Sequence, residues 1–600
     1  MTATETPTAE AEGWLARFAA ALSAGAVAAT TGLFVDEPYW RDLLSFTWNV
    51  KTLEGRDEIA AMLAAVLGDV RPAAWAIDGE ATRTDGVTEA WFTFETAVAR
   101  GRGHLRLDGG RCWTLLTTMT ELKGHEELKG PRRIQGVRHG AVKGRRTWLE
   151  ARTAEQAELG HSRQPQCVVI GGGQGGIALG ARLRRLGVES VIVERNARPG
   201  DSWRNRYRSL VLHDPVWYDH LPYLPFPDDW PVFTPKDKFG DWLEMYARVM
   251  ELNYWGGTEC LDASYDAAAG EWAVTVRRDG AELILRPKQL VFATGAYAYP
   301  RMIDFPGAGN FTGTTLHTAD YRSGEDFRGQ RCIVIGSGSS GHDIAADLWE
   351  HEADVTMVQR AATIVVRSET LMELGFAGLY SEQAVERGIT TEVADLLFAS
   401  MPFRLMPMTQ VPLYEEIARV DAPFYERLKA AGFQLDFGED GTGLMAKALR
   451  TASGYYIDVG ASDLIADGEI KLKRGVGVEH IGERSITFTD GSELPADVII
   501  HATGYGSMDE MVERLISPEV ADRVGRFWGY GSGIEGDPGP WEGELRNMWK
   551  PTHQQALWFH GGNLHLSRHY SLYVALQIKA RLEGIPTPVY GMPAAAPRPG

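Results

Sequence analysis

Residues 168–194, VVIGGGQGGIALGARLRRLGVESVIVE, leave this chain few folds to choose from. The apolar run just before and into this stretch, Cys167 to Ile170, reads as a buried strand. Gly171, Gly173 and Gly176 then give G-x-G-x-x-G, with Gly175 inside it, and residues 177–186 read as a helix. A second strand ends on Glu194, 194 − 171 = 23 residues past the first glycine. Each part has a physical job: Gly171 permits a tight turn, Gly173 admits a pyrophosphate to the backbone amides, and Gly176 lets helix and sheet pack closely. The helix N-terminus offers unpaired N–H groups to phosphate, and Glu194 can accept both hydroxyls of an adenosine ribose. With 67 glycines in 600 residues, the bare triplet arises by chance about 0.8 times per chain. The strand before it, the helix after it and the acid at the right distance carry the reading.

A second fingerprint follows at residues 331–360. The run RCIVIGSGSSGHDIAADL places Gly336, Ser337, Gly338, Ser339, Ser340 and Gly341 between a strand and a helix. Its second strand, DVTMVQR, ends on Gln359-Arg360, 360 − 336 = 24 residues on, where the first has an acid. An acid repels a ribose 2′-phosphate; a guanidinium grips it bidentately, which predicts a preference of about 10- to 100-fold for NADPH over NADH. A surface arginine at a strand end is the plain alternative. Opposite second-strand ends imply two different dinucleotides, FAD at the acid-ended site and NADPH at the other.

The rest of the chain is read around these two units. Six hundred residues exceed one core, and the net charge, 61 − 80 = −19, argues against a nucleic-acid surface. The four cysteines, Cys112, Cys167, Cys260 and Cys332, form no C-x-x-C pair, and the fifteen histidines show no metal-ligand spacing, so no metal is expected. No stretch reads as a membrane span or signal peptide, and a cytoplasmic location is expected. Residues 1–9 and the closing PAAAPRPG read as disordered. Residues 10–130 give helical patterns followed by a run of antiparallel strands, an α+β unit. In it Trp40 reads as a core residue and Asp42 as a helix cap, with a pocket role as the alternative. Residues 131–164, with Arg132, Arg133, Arg138, Lys143, Arg145 and Arg146, read as a solvated linker. Residues 165–324 and 505–590 form the split FAD unit, and 325–504 the NADPH unit, with an apolar helical insertion at 366–445 shaping a substrate entrance.

Further motifs tie these units to a family. Phe311-x-Gly313-x-x-x-His317-x-x-x-Tyr321 lies between the fingerprints, Phe292-Ala-Thr-Gly295 and His501-Ala-Thr503-Gly504-Tyr505 flank them, and Gly200-Asp-Ser-Trp203-Arg204 follows the first. Residues 165–590 thereby resemble the flavin-containing monooxygenases. The pattern of residues 10–130, with Trp40-Arg-Asp42 and Thr47-Trp48, resembles the cone-shaped SnoaL-like domains. Together they resemble the bacterial type II subgroup. The resemblance implies an α/β fold with two Rossmann-like dinucleotide-binding domains behind an α+β SnoaL-like domain. It also implies FAD and NADPH as cofactors, with NADH accepted, and one oxygen atom of O₂ passed to a small-molecule substrate through a C4a-(hydro)peroxyflavin. Baeyer–Villiger and N- or S-oxygenation both stay open. Cofactor contacts are expected from the fingerprint residues, Arg195, Trp203, Arg204, Thr503 and Gly504. His213 stands where the family places Asn or Asp; it is the candidate catalytic residue, with a packed histidine as the alternative. A homodimer without nucleic-acid or membrane partners is expected. Competing readings are an NADPH oxidase, a pyridine-nucleotide reductase, which the missing cysteine pair argues against, and a flavoprotein scaffold.

Overall fold

The computed structural model describes residues 6–137, 139–295 and 299–598. Three sheets organise it. The first has seven strands in the order Val50–Glu54, Phe34–Leu43, Arg111–Leu122, Ala99–Asp108, Val87–Glu95 and Ala73–Ile77, with Thr82–Thr84 beside Val87–Glu95. Helices Pro7–Ser23 and Gly55–Val70 cover one face. Strict alternation in Val87–Glu95 sends Ala90, Phe92 and Phe94 inward. Gly101 and Gly103 on the neighbouring strand leave the room that the Phe94 and Phe92 rings fill; a β-carbon at either glycine would overlap them. Asp42 lies in a strand and caps no helix. Its carboxylate accepts from Phe46 N (2.9 Å), Thr47 N (2.8 Å), Thr47 Oγ1 (2.7 Å) and Thr117 Oγ1 (2.6 Å), bracing the turn that leads to Val50–Glu54. Burial pushes it up to about 6 against those bonds. Trp40 is fully buried and donates to Thr117 Oγ1 at 2.8 Å.

The other two large sheets are wholly parallel, and their central strands are the continuous apolar runs that burial on both faces demands. One runs Tyr254–Trp255, Ser190–Val193, Cys167–Ile170, Gln289–Phe292, Leu557–Phe559. The other runs Thr314–His317, Val498–His501, Arg331–Ile335, Asp354–Gln359, Lys471–Arg474. Between residues 364 and 458 the chain leaves the second sheet, and the excursion is bracketed by Ile364–Arg367 paired to Tyr455–Asp458. Inside it, helices Thr391–Ala399, Met406–Val420, Ala422–Ala431 and Gly443–Thr451 are the main elements. Helix Leu564–Leu582 is buried on nearly every side and packs on the first fingerprint helix, Gln174–Arg185.

Three expectations are corrected. Residues 1–5 lie outside the described residues, but a helix begins at Pro7, capped by Thr6 Oγ1 accepting from Ala9 N at 3.2 Å. Residues 131–164 are not all connector, because Thr147-x-x-Glu150 closes a capping box that starts helix Trp148–Glu158. That helix docks through Glu155 on Arg184 at 2.6 Å; Arg138 lies outside the described residues. The closing segment is also held: Ala596 O accepts from Arg526 N at 2.8 Å, and Arg598 pairs with Glu513 at 2.6 Å. Among the described residues, no helix is long and apolar enough to cross a membrane.

Candidate active site

The two glycine loops are built alike. Gly171, at φ 106°, ends the strand Cys167–Ile170, and a β-carbon on it would run into the carbonyl oxygen of Ala293. Gly336, at φ 121°, faces the carbonyl oxygen of Ala502 in the same way. Register explains the symmetry: Phe292 lies opposite Ile170 and His501 opposite Ile335, so each Ala-Thr-Gly segment begins where its neighbour's glycine turn begins. The third glycines close the turns, because a β-carbon on Gly176 or Gly341 would overlap the carbonyl of Gly171 or Gly336. The middle glycines differ. Around Gly173 and Gly338 the nearest atom to such a carbon is 3.9 Å away, which leaves each helix N-terminus open to a phosphate. Gly173 and Gly338 are the N-cap positions, and neither helix has a side-chain cap.

The strand ends diverge. Glu194 is 8% exposed; it accepts from Gly172 N at 2.7 Å with one oxygen and from Asn196 N (2.8 Å) and Nδ2 (2.6 Å) with the other. It therefore holds the glycine loop in shape while facing it. Gln359 is fully buried and exchanges hydrogen bonds with the backbone of Gln434 at 2.9 and 2.8 Å, so it fixes the strand end and presents nothing outward. Arg360 and Arg195 are exposed. Ser337 Oγ is bonded to Thr363 Oγ1 at 2.7 Å and Ser339 Oγ donates to Tyr455 O at 3.1 Å, while Ser340 stands partly buried in the first helical turn.

Other expected residues surround the first loop. Trp203 donates to Gln174 Oε1 at 3.2 Å, and Gln174 donates to Gly562 O at 3.3 Å, so the turn before the late helix closes over the loop. Gly175 approaches Gly561 there. Arg204, expected at the cofactor, is spent on protein: it reaches Asp201 (2.9 Å), Asp241 (2.9 Å), Glu244 (2.8 Å) and Pro199 O (3.0 Å). Four acceptors already surround its guanidinium, which makes it a clamp on residues 199–204. Thr503 donates to Arg301 O at 2.5 Å, and Gly504 O receives His317 Nε2 at 2.9 Å. Tyr321 donates to Asp347 Oδ2 at 2.5 Å, on the second fingerprint helix. The motif from Phe311 to Tyr321 thus fastens the crossing segment to the second sheet.

His213 sits where the two units meet. Its Nε2 is 3.5 Å from Asp343 Oδ1, two residues past Gly341, and Asp343 Oδ2 accepts from Tyr207 Oη at 2.6 Å. Burial raises Asp343, and it raises Asp214 to about 6. Beyond His213, Asp395 holds Arg568 bidentately at 2.8 and 2.7 Å, and Tyr218 stacks on His565 at 4.8 Å. Sequence reasoning missed Tyr207, Asp343, Asp395 and Arg568, whose partners lie far along the chain. Asn196 was within reach, two residues past the diagnostic acid.

Two parallel sheets, each with a clash-locked glycine turn, one beside a buried acid and the other followed by an exposed arginine at its second strand end, have the build of two nucleotide seats. The family described as flavin-binding monooxygenase-like matches residues 167–378. The indole-3-pyruvate monooxygenase YUCCA1 of Oryza sativa subsp. japonica is 33% identical over 345 residues, covering 57% of this chain and 77% of that protein. The probable indole-3-pyruvate monooxygenase YUCCA3 of Arabidopsis thaliana is 32% identical over 347 residues, covering 57% and 73%. Among solved structures, ε-caprolactone-bound cyclohexanone monooxygenase superposes with a TM-score of 0.51 at 20% identity, over 70% of this chain and 88% of that one. The OTEMO complex with FAD and NADP gives 0.50 at 19%, over 70% and 86%, and these two likenesses speak to the fold. This chain belongs to the flavin-binding monooxygenase-like family. It is an enzyme, a flavin-containing monooxygenase.

Proposed function

We propose that the chain is an FAD- and NADPH-dependent monooxygenase that places one oxygen atom of O₂ beside the carbonyl of a ketone or 2-oxo acid. The pair of glycine turns with opposite strand ends carries this reading, and the names of the plant relatives point to a 2-oxo acid carbonyl. The first seat fits FAD: an open helix N-terminus for the pyrophosphate and a nearly buried Glu194 for the ribose. The second fits NADPH through Gly338 and Arg360. When bound, the flavin accepts hydride from the nicotinamide, activates O₂ and delivers one of its oxygen atoms. The protein binds and orients the two nucleotides, excludes water through the turn at Gly561–Gly562, and holds a proton near the reacting centre. His213, steered by Asp343 and Tyr207, is the group proposed for that last task. We assign residues 10–130, two helices on one face of a seven-stranded sheet, to the SnoaL-like cones, as in the bacterial type II enzymes.

The test is anaerobic reduction with NADPH followed by an oxygen pulse in the presence of indole-3-pyruvate, a cyclic ketone or thioanisole. Oxygenated product is expected from a carbonyl probe; stoichiometric hydrogen peroxide with every probe would sink the reading. Two variants refine it. Arg360→Ala raises the KM for NADPH about 10- to 100-fold and leaves that for NADH nearly unchanged; equal shifts would remove the 2′-phosphate role. His213→Ala raises the fraction of NADPH lost to peroxide several-fold, and unchanged coupling would return His213 to packing.

A further inference from the structure

The seven-stranded sheet meets the rest of the protein at several places, and one of them is the end of a helix in the excursion. At the end of helix Thr391–Ala399 the backbone of residues 400 and 401 meets the carbonyls of Leu396, Leu397 and Phe398, and those of Ala399 and Ser400 are left over. Two arginines of the sheet serve them: Arg41 Nη1 donates to Ala399 O at 2.8 Å and Arg106 Nη1 to Ser400 O at 3.3 Å. Cations at a helix C-terminus also oppose its dipole favourably. Arg41 is 1% exposed and fully committed, with two bonds of 2.7 Å to Glu544 and one of 2.9 Å to Tyr570 Oη on the late helix. Thr52 fastens Glu544 from the adjacent strand at 2.7 Å.

One turn inside the same helix stands Asp395, which grips Arg568 and accepts from Tyr380 Oη at 3.1 Å. Arg568 in turn donates to Tyr218 O at 2.8 Å and His220 O at 2.6 Å, on the segment that carries His213. Tyr218, Tyr380 and Phe398 gather round His565, whose Nε2 lies 3.4 Å from Asp395 Oδ1 and whose Nδ1 is buried without a hydrogen-bond partner. Both carboxylate oxygens of Asp219 are also buried without one. Buried polar atoms left open beside aromatic walls mark a place where a polar aromatic molecule or ordered water completes the bonding.

Resting on the monooxygenase reading above, we infer that the N-terminal sheet is a brace for the substrate-facing wall, with Arg41 and Arg106 as positioning residues that set helix Thr391–Ala399. The chain of contacts runs from the sheet through Asp395 and Arg568 to residues 213–220 and makes no hydrogen bond to either glycine loop, although Arg568 and Tyr570 stand on the helix that packs on Gln174–Arg185. Loosening it alters substrate handling more than nucleotide binding.

Two variants test this: Arg106→Gln, which removes one bond, and the paired change Arg41→Met with Glu544→Gln, which leaves no unpaired buried charge. Flavin content and the rate of anaerobic reduction by NADPH should stay within about twofold of the parent. The KM for indole-3-pyruvate and the peroxide fraction should rise several-fold, and amide hydrogen exchange at residues 396–400 about tenfold. Unchanged exchange overturns the brace. Parallel loss of flavin content and reduction rate also overturns it, by showing a general folding defect. If exchange rises while the parent enzyme oxygenates no probe, the brace stands and the monooxygenase reading falls.

Discussion

Gly176→Val yields a protein that purifies without flavin. A β-carbon at this position would overlap the carbonyl oxygen of Gly171, and the atom it meets belongs to backbone held by the strand behind it. Relief requires helix Gln174–Arg185 to lift away from the sheet, which carries off the amides meant for the pyrophosphate. Overpacking against a rigid neighbour costs about 3 kcal/mol, more than 100-fold in flavin affinity. The measurement is flavin absorbance per mole of protein, with NADPH binding followed in parallel. Nucleotide binding at the second seat should survive, since Gly336 and Gly341 belong to another sheet. Full flavin content in the valine variant would show that the first loop is not the flavin seat.

The second large effect is a loss of stability in mild acid. Burial holds His104, His342 and His565 down to about 4 and His560 and His569 down to about 3, in each case by desolvation of the charged ring. A histidine whose folded value lies below its unfolded value of about 6.5 stabilises fully above 6.5 and loses that contribution as the pH falls. At pH 5 each of the five has given up about 2 kcal/mol. Asp42 and Asp214, both raised to about 6, work the other way, because the folded chain takes up their protons first and gains as the pH drops. Asp42 and Asp214 return about 1.4 kcal/mol each by pH 5, and Asp219 and Asp343, also raised by burial, add to that gain. His220, held down to about 4, adds to the loss, and the imidazoles outweigh the carboxylates. The melting temperature should therefore fall by about 10 °C between pH 7 and pH 5. A flat profile across that window would mean these rings are solvated in the native state.

Both nucleotide folds were legible because their signals are local. Strand, glycine turn, helix and second strand sit within thirty residues, and the turns need glycine for reasons of space that any sequence displays. The Ala-Thr-Gly segments were recognised as motifs, but their physical purpose, a carbonyl placed against each glycine, appears only with the strand register. Arg204 shows a related limit: a basic residue near a cofactor loop reads as a ligand, and the carboxylates of Asp241 and Glu244 around it become visible only in the fold. The helix at Trp148–Glu158 was written in Thr147-x-x-Glu150, and the basic composition around it masked the capping box. What could not be read were long-range partners. Arg41 with Ala399, Asp395 with Arg568 and Tyr207 with Asp343 are pairings that no local pattern announces.

The strand Leu557–Phe559, which completes the first parallel sheet, comes 557 − 289 = 268 residues after the strand it pairs with, Gln289–Phe292. The second sheet needs nothing beyond residue 501. On a ribosome emitting about 5–20 residues per second, the second nucleotide unit closes while the first still waits with an open edge. For that interval of several seconds the strand Gln289–Phe292 has no outer neighbour, and its exposed ladder is the point at which a nascent chain of this protein is most open to mispairing. Nucleotide capture at the first seat thus follows closure of the second unit.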